Sequence, residues 1–143
     1  MIFDHIGLFV KDINYGRQQL QALLPIVSWT EVTEDPLMKV RVQFGIDSSN
    51  IRYELVAPFG EPNPVSGALA SGANILNHVA YRCDDLTAAM KALYGQGALQ
   101  IGEPQAAVAF GGRRVVFFLT PLNFIVELVE NQSKRGGEGG SLK

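Results

Sequence analysis

The chain is poor in the features that mark secreted and membrane proteins. It has one cysteine, Cys83, in 143 residues, so an internal disulfide framework is excluded and a reducing compartment is favoured. Its first residues carry no basic run ahead of an apolar stretch, so we expect no signal peptide. Apolar runs stay well short of the ~20 residues that span a bilayer. These absences predict a cytoplasmic protein without a membrane partner.

The chain also lacks an excess of charge of either sign. Twelve lysines and arginines stand against 14 acidic residues, which gives a net charge of −2 without a basic stripe. We therefore expect no nucleic-acid partner. The length and the 47% hydrophobic content are typical of one globular domain that buries its own core.

Histidine is scarce as well, and its placement is informative. His5 and His78 are the two histidines of the chain, and they are separated by the same 73 positions (78 − 5 and 127 − 54) as Glu54 and Glu127. Their flanks repeat at this offset: Asp4-His5-Ile6 with Asn77-His78-Val79, Asp12-Ile13 with Asp85-Leu86, Phe44 with Phe117, and Tyr53-Glu54-Leu55-Val56 with Val126-Glu127-Leu128-Val129. The pattern indicates one structural unit written twice.

Each unit is predicted to contain a strand, a helix and three further strands. The predicted strands are 3–10, 27–32, 40–44, 51–57, 76–83, 106–110, 114–119 and 124–130, and the predicted helices are 13–24 and 84–94. The fold class is therefore α+β, with a single domain over 1–130 made of two βαβββ modules at about 1–57 and 75–130. A linker rich in Pro and Gly at 58–74 joins the modules, and a mobile tail is expected at 131–143.

The repeated histidines and glutamates are predicted to form a metal site. In each module the histidine lies on the first strand and the glutamate on the last, so neighbouring strands would present both to one surface. Two imidazoles and two carboxylates suit a divalent ion, with zinc, nickel or cobalt preferred and manganese or iron as further candidates. The competing interpretation, four ordinary surface or core residues, does not explain the shared offset.

Two arginines are candidate substrate-binding residues. Arg52 and Arg82 lie two and four positions from a predicted ligand on the same strand faces, where they could receive a carboxylate or phosphate. The alternative is that both are rim arginines paired with acidic side chains.

These segments together resemble the vicinal oxygen chelate superfamily, which includes glyoxalase I, methylmalonyl-CoA epimerase, extradiol dioxygenases, fosfomycin resistance proteins and bleomycin-binding proteins. The resemblance covers roughly residues 1–130. It implies two βαβββ modules whose curved, mixed sheets enclose a metal cleft. The matching segments are Phe3-Asp4-His5-Ile6-Gly7, Tyr53-Glu54-Leu55-Val56, Asn77-His78-Val79-Ala80-Tyr81, Gly111-Gly112-Arg113-Arg114-Val115 and Val126-Glu127-Leu128-Val129-Glu130.

The resemblance also implies an activity. A ligand set of His5, Glu54, His78 and Glu127 is similar to that of bacterial-type glyoxalase I, a metal-dependent lyase that stabilises an enediolate formed by proton loss next to a carbonyl. Glu127 is then the expected base and Glu54 the second candidate, acting on a small carbonyl substrate. The alternatives are an enzyme like methylmalonyl-CoA epimerase that acts on an acyl-CoA, and a drug-binding protein of the same fold.

Two further points follow from the resemblance. Members of the superfamily have their cleft within one chain or shared across a homodimer, and both arrangements stay open here. The epimerases carry a second catalytic carboxylate that aligns near Leu37, where the nearest acidic residues are Glu34 and Asp35.

Overall fold

The computed structural model describes residues 1–60 and 75–131. Within them, nine strands form one mixed, curved sheet in the order β2-β4-β5-β1-β6-β9-β8-β7, with β3 also paired to β4. The first module supplies β1 (Ile2–Phe9), β2 (Ile26–Trp29), β3 (Thr33–Asp35), β4 (Val40–Asp47) and β5 (Arg52–Pro58). The second supplies β6 (Ile75–Cys83), β7 (Leu99–Ala106), β8 (Arg114–Leu119) and β9 (Ile125–Glu130).

The centre of the sheet joins the two modules. In each module the first and last strands are parallel neighbours, β1 with β5 and β6 with β9, which meets the condition on which the predicted metal site depends. The two first strands, β1 and β6, then pair antiparallel to each other. This arrangement relates the modules by an approximate twofold axis and places β5, β1, β6 and β9 side by side.

One helix follows the first strand of each module. Helix α1 (Ile13–Leu23) begins after Asp12, whose carboxylate accepts the backbone N–H of Tyr15 at 2.9 Å, and it ends before Pro25. Helix α2 (Leu86–Gly95) has Asp85 as its N-cap and begins two residues later than the predicted helix 84–94. Both helices pack on the sheet face that carries Leu55 in the first module and Leu128 in the second.

The opposite face of the sheet has its own apolar cluster, which draws residues from both modules. Val42, Phe44 and Val56 of the first module meet Phe110 and Val115 of the second there. Glu54 and Val56 point to this face, while Leu55 between them points to the helices, because side chains alternate along a strand.

Two strand predictions are wrong. Residues 108–110 of the predicted strand 106–110 form a 3₁₀ turn, Val108–Phe110, which Gly111 ends with a φ of +64°. The strand before this turn is β7, whose alternation is interrupted by Gly102 and Pro104. In place of the predicted strand 27–32, the structure has the shorter strand β2 (Ile26–Trp29). Strand β3 follows as a separate strand, and both pair with β4.

Two predicted segments lie largely outside the described residues, the linker 58–74 and the tail 131–143, so both stay predictions. Pro58 is still part of β5. No helix in residues 1–60 and 75–131 has the length and apolar character needed to cross a membrane.

Candidate metal centre

The four side chains predicted as ligands converge at the junction of the modules. His5, Glu54, His78 and Glu127 each offer one ligand atom, and these atoms all lie within 4.8 Å of one another. Their exposed fractions are between 0 and 4%. Ionisable side chains are rarely buried to this degree without a partner of opposite charge, so the cluster needs a specific explanation.

Gly7 makes room for the cluster. It lies opposite His78 in the β1–β6 pairing and beside Glu54 in the β1–β5 pairing. A Cβ atom at this position would overlap the imidazole ring of His78. The glycine two residues after the first histidine therefore lets the second histidine fold over β1.

The ligand atoms are close together, and the two imidazole nitrogens are at similar distances from both carboxylates. The Nε2 atoms of His5 and His78 are 3.3 Å apart. Each Nε2 lies 3.1 Å from Oε1 of Glu127, and Oε1 of Glu54 is 3.1 Å from His5 Nε2 and 3.2 Å from His78 Nε2. The four atoms thus surround a single point.

Each imidazole is oriented by the residue that precedes it. His5 Nδ1 donates to Asp4 Oδ2 at 2.7 Å, and His78 Nδ1 donates to Asn77 Oδ1 at 2.7 Å. A neutral imidazole that carries its hydrogen on Nδ1 has a lone pair on Nε2. Both lone pairs therefore point into the cluster. Sequence reasoning did not identify Asp4 and Asn77 in this role, although both occupy the repeated position before a histidine.

Without an ion, the cluster holds protons. Burial lowers the pKa of His5, but hydrogen bonds to Asp4, Glu127 and Glu54 outweigh it and raise the pKa to about 11. His78 is likewise buried, and its bonds to Glu127 and Glu54 raise its pKa to about 9. Burial raises the pKa of Glu54, yet the two histidines bring it down to about 2.

The donor set fits a divalent cation. Two imidazole nitrogens and two carboxylate oxygens are ligand types that zinc and related ions accept. Neighbouring ligands about 2.0–2.1 Å from an ion with four to six ligands would be about 2.8–3.4 Å apart, and the five N–N and N–O pairs measured here are 3.1–3.3 Å apart. An ion that accepts more than four ligands would keep a position open for a substrate oxygen. One ion of charge +2 would also replace the two imidazolium protons without a change in net charge.

Arg52 and Arg82 lie behind His5. Arg52 Nη1 is 3.2 Å from both carboxylate oxygens of Asp4, and Arg82 Nε is 3.0 Å from Asp4 Oδ1 in an ion pair whose angle does not suit a hydrogen bond. Burial raises the pKa of Asp4, but His5, Arg52 and Arg82 together lower it. Neither arginine lines the cavity beside the cluster, so a direct role in substrate binding stays a prediction.

A cavity of about 360 Å³ adjoins the cluster. Its polar lining residues are Asp35, Glu54, Asn77, His78 and Glu127, and its other lining residues are apolar. Aromatic rings screen the histidines beside it: Phe110 stacks on His5 at 5.6 Å, and Phe117 meets His78 edge-on at 5.6 Å. The cluster therefore faces a cavity whose walls are mainly apolar.

Asp35 connects the two walls of this cavity. Its side chain is 2% exposed. Oδ1 accepts the backbone N–H groups of Leu37 and Met38 at 3.1 and 2.9 Å, and Oδ2 accepts that of Val108 in the second module at 3.0 Å. Sequence reasoning considered Asp35 as a catalytic carboxylate, but the structure commits both of its oxygens to backbone donors.

Comparisons with known proteins agree with this architecture. Residues 4–117 match the family model described as Glyoxalase/Bleomycin resistance protein/Dioxygenase superfamily. The ethylmalonyl-CoA/methylmalonyl-CoA epimerase of Cereibacter sphaeroides is 30% identical over 128 residues, which cover 89% of this chain and 93% of the relative.

Solved structures show the same fold. The methylmalonyl-CoA epimerase of Mycobacterium tuberculosis has a TM-score of 0.74 at 23% identity and covers 92% of this chain and 89% of its own. A variant of the Streptomyces coelicolor methylmalonyl-CoA epimerase in complex with 2-nitronate-propionyl-CoA has a TM-score of 0.74 at 19% identity, with 93% and 99% covered.

Proposed function

Because the chain belongs to the glyoxalase/bleomycin resistance protein/dioxygenase superfamily, we propose that it is a metal-dependent epimerase that acts on an acyl-CoA. It would move a proton on and off the carbon next to the thioester carbonyl. The observation that carries the proposal is the buried cluster of His5, Glu54, His78 and Glu127, which opens on an apolar cavity. The epimerase relative at 30% identity supports the choice of reaction.

The four clustered residues would hold the ion. A bound divalent ion supplies Lewis-acid stabilisation of the negative charge that develops on a carbonyl oxygen when the adjacent carbon loses its proton. Asp4 and Asn77 keep both Nε2 lone pairs aimed at the centre. The apolar walls exclude water and so strengthen every electrostatic interaction inside the cavity.

The proton is moved by the clustered carboxylates in this proposal. Glu127 and Glu54 both line the cavity and come from different modules, so the approximate twofold axis offers one carboxylate from each side. We assign proton removal to Glu127 and keep Glu54 as the second candidate for the base. Asp35 is unsuited to this task, because its oxygens already accept three backbone N–H groups.

The ligand set alone favoured a glyoxalase-type lyase, and that reaction begins with the same step. Both reactions begin with proton loss next to a carbonyl, so the cluster serves either. We prefer the epimerase because the relative at 30% identity carries that name, whereas the family match covers many activities.

An exchange experiment separates these activities. The protein is loaded with zinc, nickel or cobalt, and its metal content is measured by elemental analysis. Methylmalonyl-CoA, ethylmalonyl-CoA and a 2-oxoaldehyde–thiol adduct are each incubated with it in D₂O, and deuterium at the reacting carbon is followed by mass spectrometry. We expect exchange of the acyl-CoA esters, with one metal ion per chain.

Two variants control the experiment. His78→Ala should lose metal and exchange together, because it removes a ligand. Glu31→Gln removes an exposed carboxylate that has no assigned role in the site and should keep both. Conversion of the thiol adduct alone would favour the lyase. A protein that binds no divalent ion and exchanges no substrate would refute both enzymes and favour a binding protein of this fold.

A further inference from the structure

We infer that the cavity beside the metal centre selects substrates whose reacting carbon carries an uncharged hydrocarbon group larger than a methyl group. That the substrate is an acyl-CoA rests on the proposed function. That its hydrocarbon group is uncharged and larger than a methyl group rests on the lining and volume of the cavity.

Most polar groups of the cavity are already used. Glu54, His78 and Glu127 belong to the metal centre, Asn77 Oδ1 accepts from His78 at 2.7 Å, and Asp35 accepts from three backbone N–H groups. The Nδ2 group of Asn77 is the polar side-chain donor that stays available to a substrate among the described lining residues. A charged or strongly polar substituent would lose most of its hydration there with little compensation.

No lysine or arginine of the described chain lines the cavity. Among the described residues, a substrate carboxylate therefore meets no cationic side chain in the cavity and would use the metal centre. The rest of the space is left for uncharged atoms.

The size of the cavity exceeds what a methyl group fills. Its volume of about 360 Å³ is within the range of about 300–1,000 Å³ typical of pockets that enclose whole small ligands. Aliphatic and aromatic side chains from both modules line it, among them Met38, Val42, Val56, Ile101 and Phe110. Apolar walls of this kind favour an apolar occupant over water.

A series of simple chelators tests the cavity without any turnover. Hydroxamates present two adjacent oxygens to a metal ion, and their alkyl group can be lengthened one methylene at a time. We expect the affinity of the zinc-loaded protein, measured by calorimetry, to rise about fourfold with each methylene from acetohydroxamate to hexanohydroxamate, since a buried methylene contributes ~0.8 kcal/mol.

A variant that fills the cavity and a matched surface variant test whether the gain in affinity with alkyl length arises in the cavity. Ala109 lines the cavity, so Ala109→Leu should reduce the ratio of hexano- to acetohydroxamate affinity at least tenfold. Ala92 is exposed on α2, and Ala92→Leu should leave that ratio unchanged. Equal metal content in both variants shows that each keeps its metal centre.

The outcomes separate this inference from the proposed function. The inference is overturned if the affinity for hydroxamates does not change with the length of the alkyl group, or if it rises with length equally in Ala109→Leu. This holds even if methylmalonyl-CoA exchanges its proton. A rising series that the variant flattens supports the inference even if no acyl-CoA exchanges, and the proposed function then fails alone. If both the inference and the proposed function hold, butylmalonyl-CoA should exchange its proton with a higher kcat/KM than methylmalonyl-CoA.

Discussion

The Nε2 atoms of His5 and His78 face each other at 3.3 Å across the junction of β1 and β6. Their Nδ1 atoms are held from behind by unequal partners, a carboxylate on Asp4 and a neutral amide on Asn77. Two arginines further fix the carboxylate. The nearly symmetrical centre therefore has one histidine with a charged partner and one without.

Asp4→Asn should weaken metal binding by about 10- to 100-fold, the range typical of changes to the group behind a histidine ligand. The amide oxygen can still accept from His5, so the variant removes the negative charge and leaves Arg52 and Arg82 without their ion pairs. Calorimetric titration with zinc measures the change. Asp84→Asn alters an exposed aspartate on the other module and should bind zinc normally. Unaltered affinity in Asp4→Asn would show that the charge of this residue is unimportant.

Gly7→Ala should abolish metal binding or reduce it more than tenfold. The new methyl group would overlap the His78 ring, and the forced displacement should also lower the free energy of unfolding by about 1–3 kcal/mol. Gly95→Ala is the matched control, because nothing lies within 4 Å of a Cβ atom at that position. Metal content and urea denaturation of both variants provide the test, and normal zinc binding by Gly7→Ala would contradict the arrangement of β1 and β6.

Metal binding should release about two protons per ion at pH 7–8. In the metal-free protein the pKa of His5 is raised to about 11 and that of His78 to about 9, so both imidazoles are protonated there and must lose their protons to bind an ion. Calorimetry in buffers of different ionisation enthalpy counts the protons. The affinity should rise with pH up to about pH 11, and less steeply above about pH 9, where only His5 is still protonated. Binding without proton release would be inconsistent with this centre.

The same groups predict how the metal-free protein responds to base. Because the pKa of each histidine is higher in the folded than in the unfolded chain, the stabilisation is complete below about pH 6.5, the unfolded value. It should decline as the pH rises through about 9 and then about 11. Urea denaturation between pH 6 and 11 with a chelator present measures this decline, and zinc should suppress it. Constant stability across that range would argue against the charged cluster.

Asp35→Ala should lower the free energy of unfolding by about 3 kcal/mol, since it leaves three backbone N–H groups without their acceptor. Asp35→Asn should cost less, because its carbonyl oxygen can still serve Leu37 and Met38. Glu103→Ala, an exposed acidic residue, is the control. If Asp35→Ala and Glu103→Ala unfold at the same urea concentration, the link between β3 and Val108 does not stabilise the fold.

Much of the centre was predictable because the duplication reveals it. The offset between His5 and His78 and between Glu54 and Glu127 identified the clustered residues, and the order of elements placed each histidine on a first strand and each glutamate on a last strand. These features depend on local pattern and on the repeat, both of which are visible in one chain.

The remaining features depend on contacts between distant segments. The ion pairs of Arg52 and Arg82 with Asp4 need the pairing of β5 and β6 with β1, which strand alternation alone does not reveal. Asp35 binds the N–H of Val108, and the 3₁₀ turn that places this N–H replaces a strand expected from an apolar run. The volume and lining of the cavity likewise follow from how the modules meet.

The pairing of β5, β1, β6 and β9 also has a consequence for biosynthesis. Each module brings its histidine and glutamate together only when its last strand returns to its first, and all four groups meet only after β9 has joined. A nascent chain on the ribosome therefore cannot complete the four-residue cluster until Glu127 has emerged, and formation of the full ligand set would mark the final stage of folding.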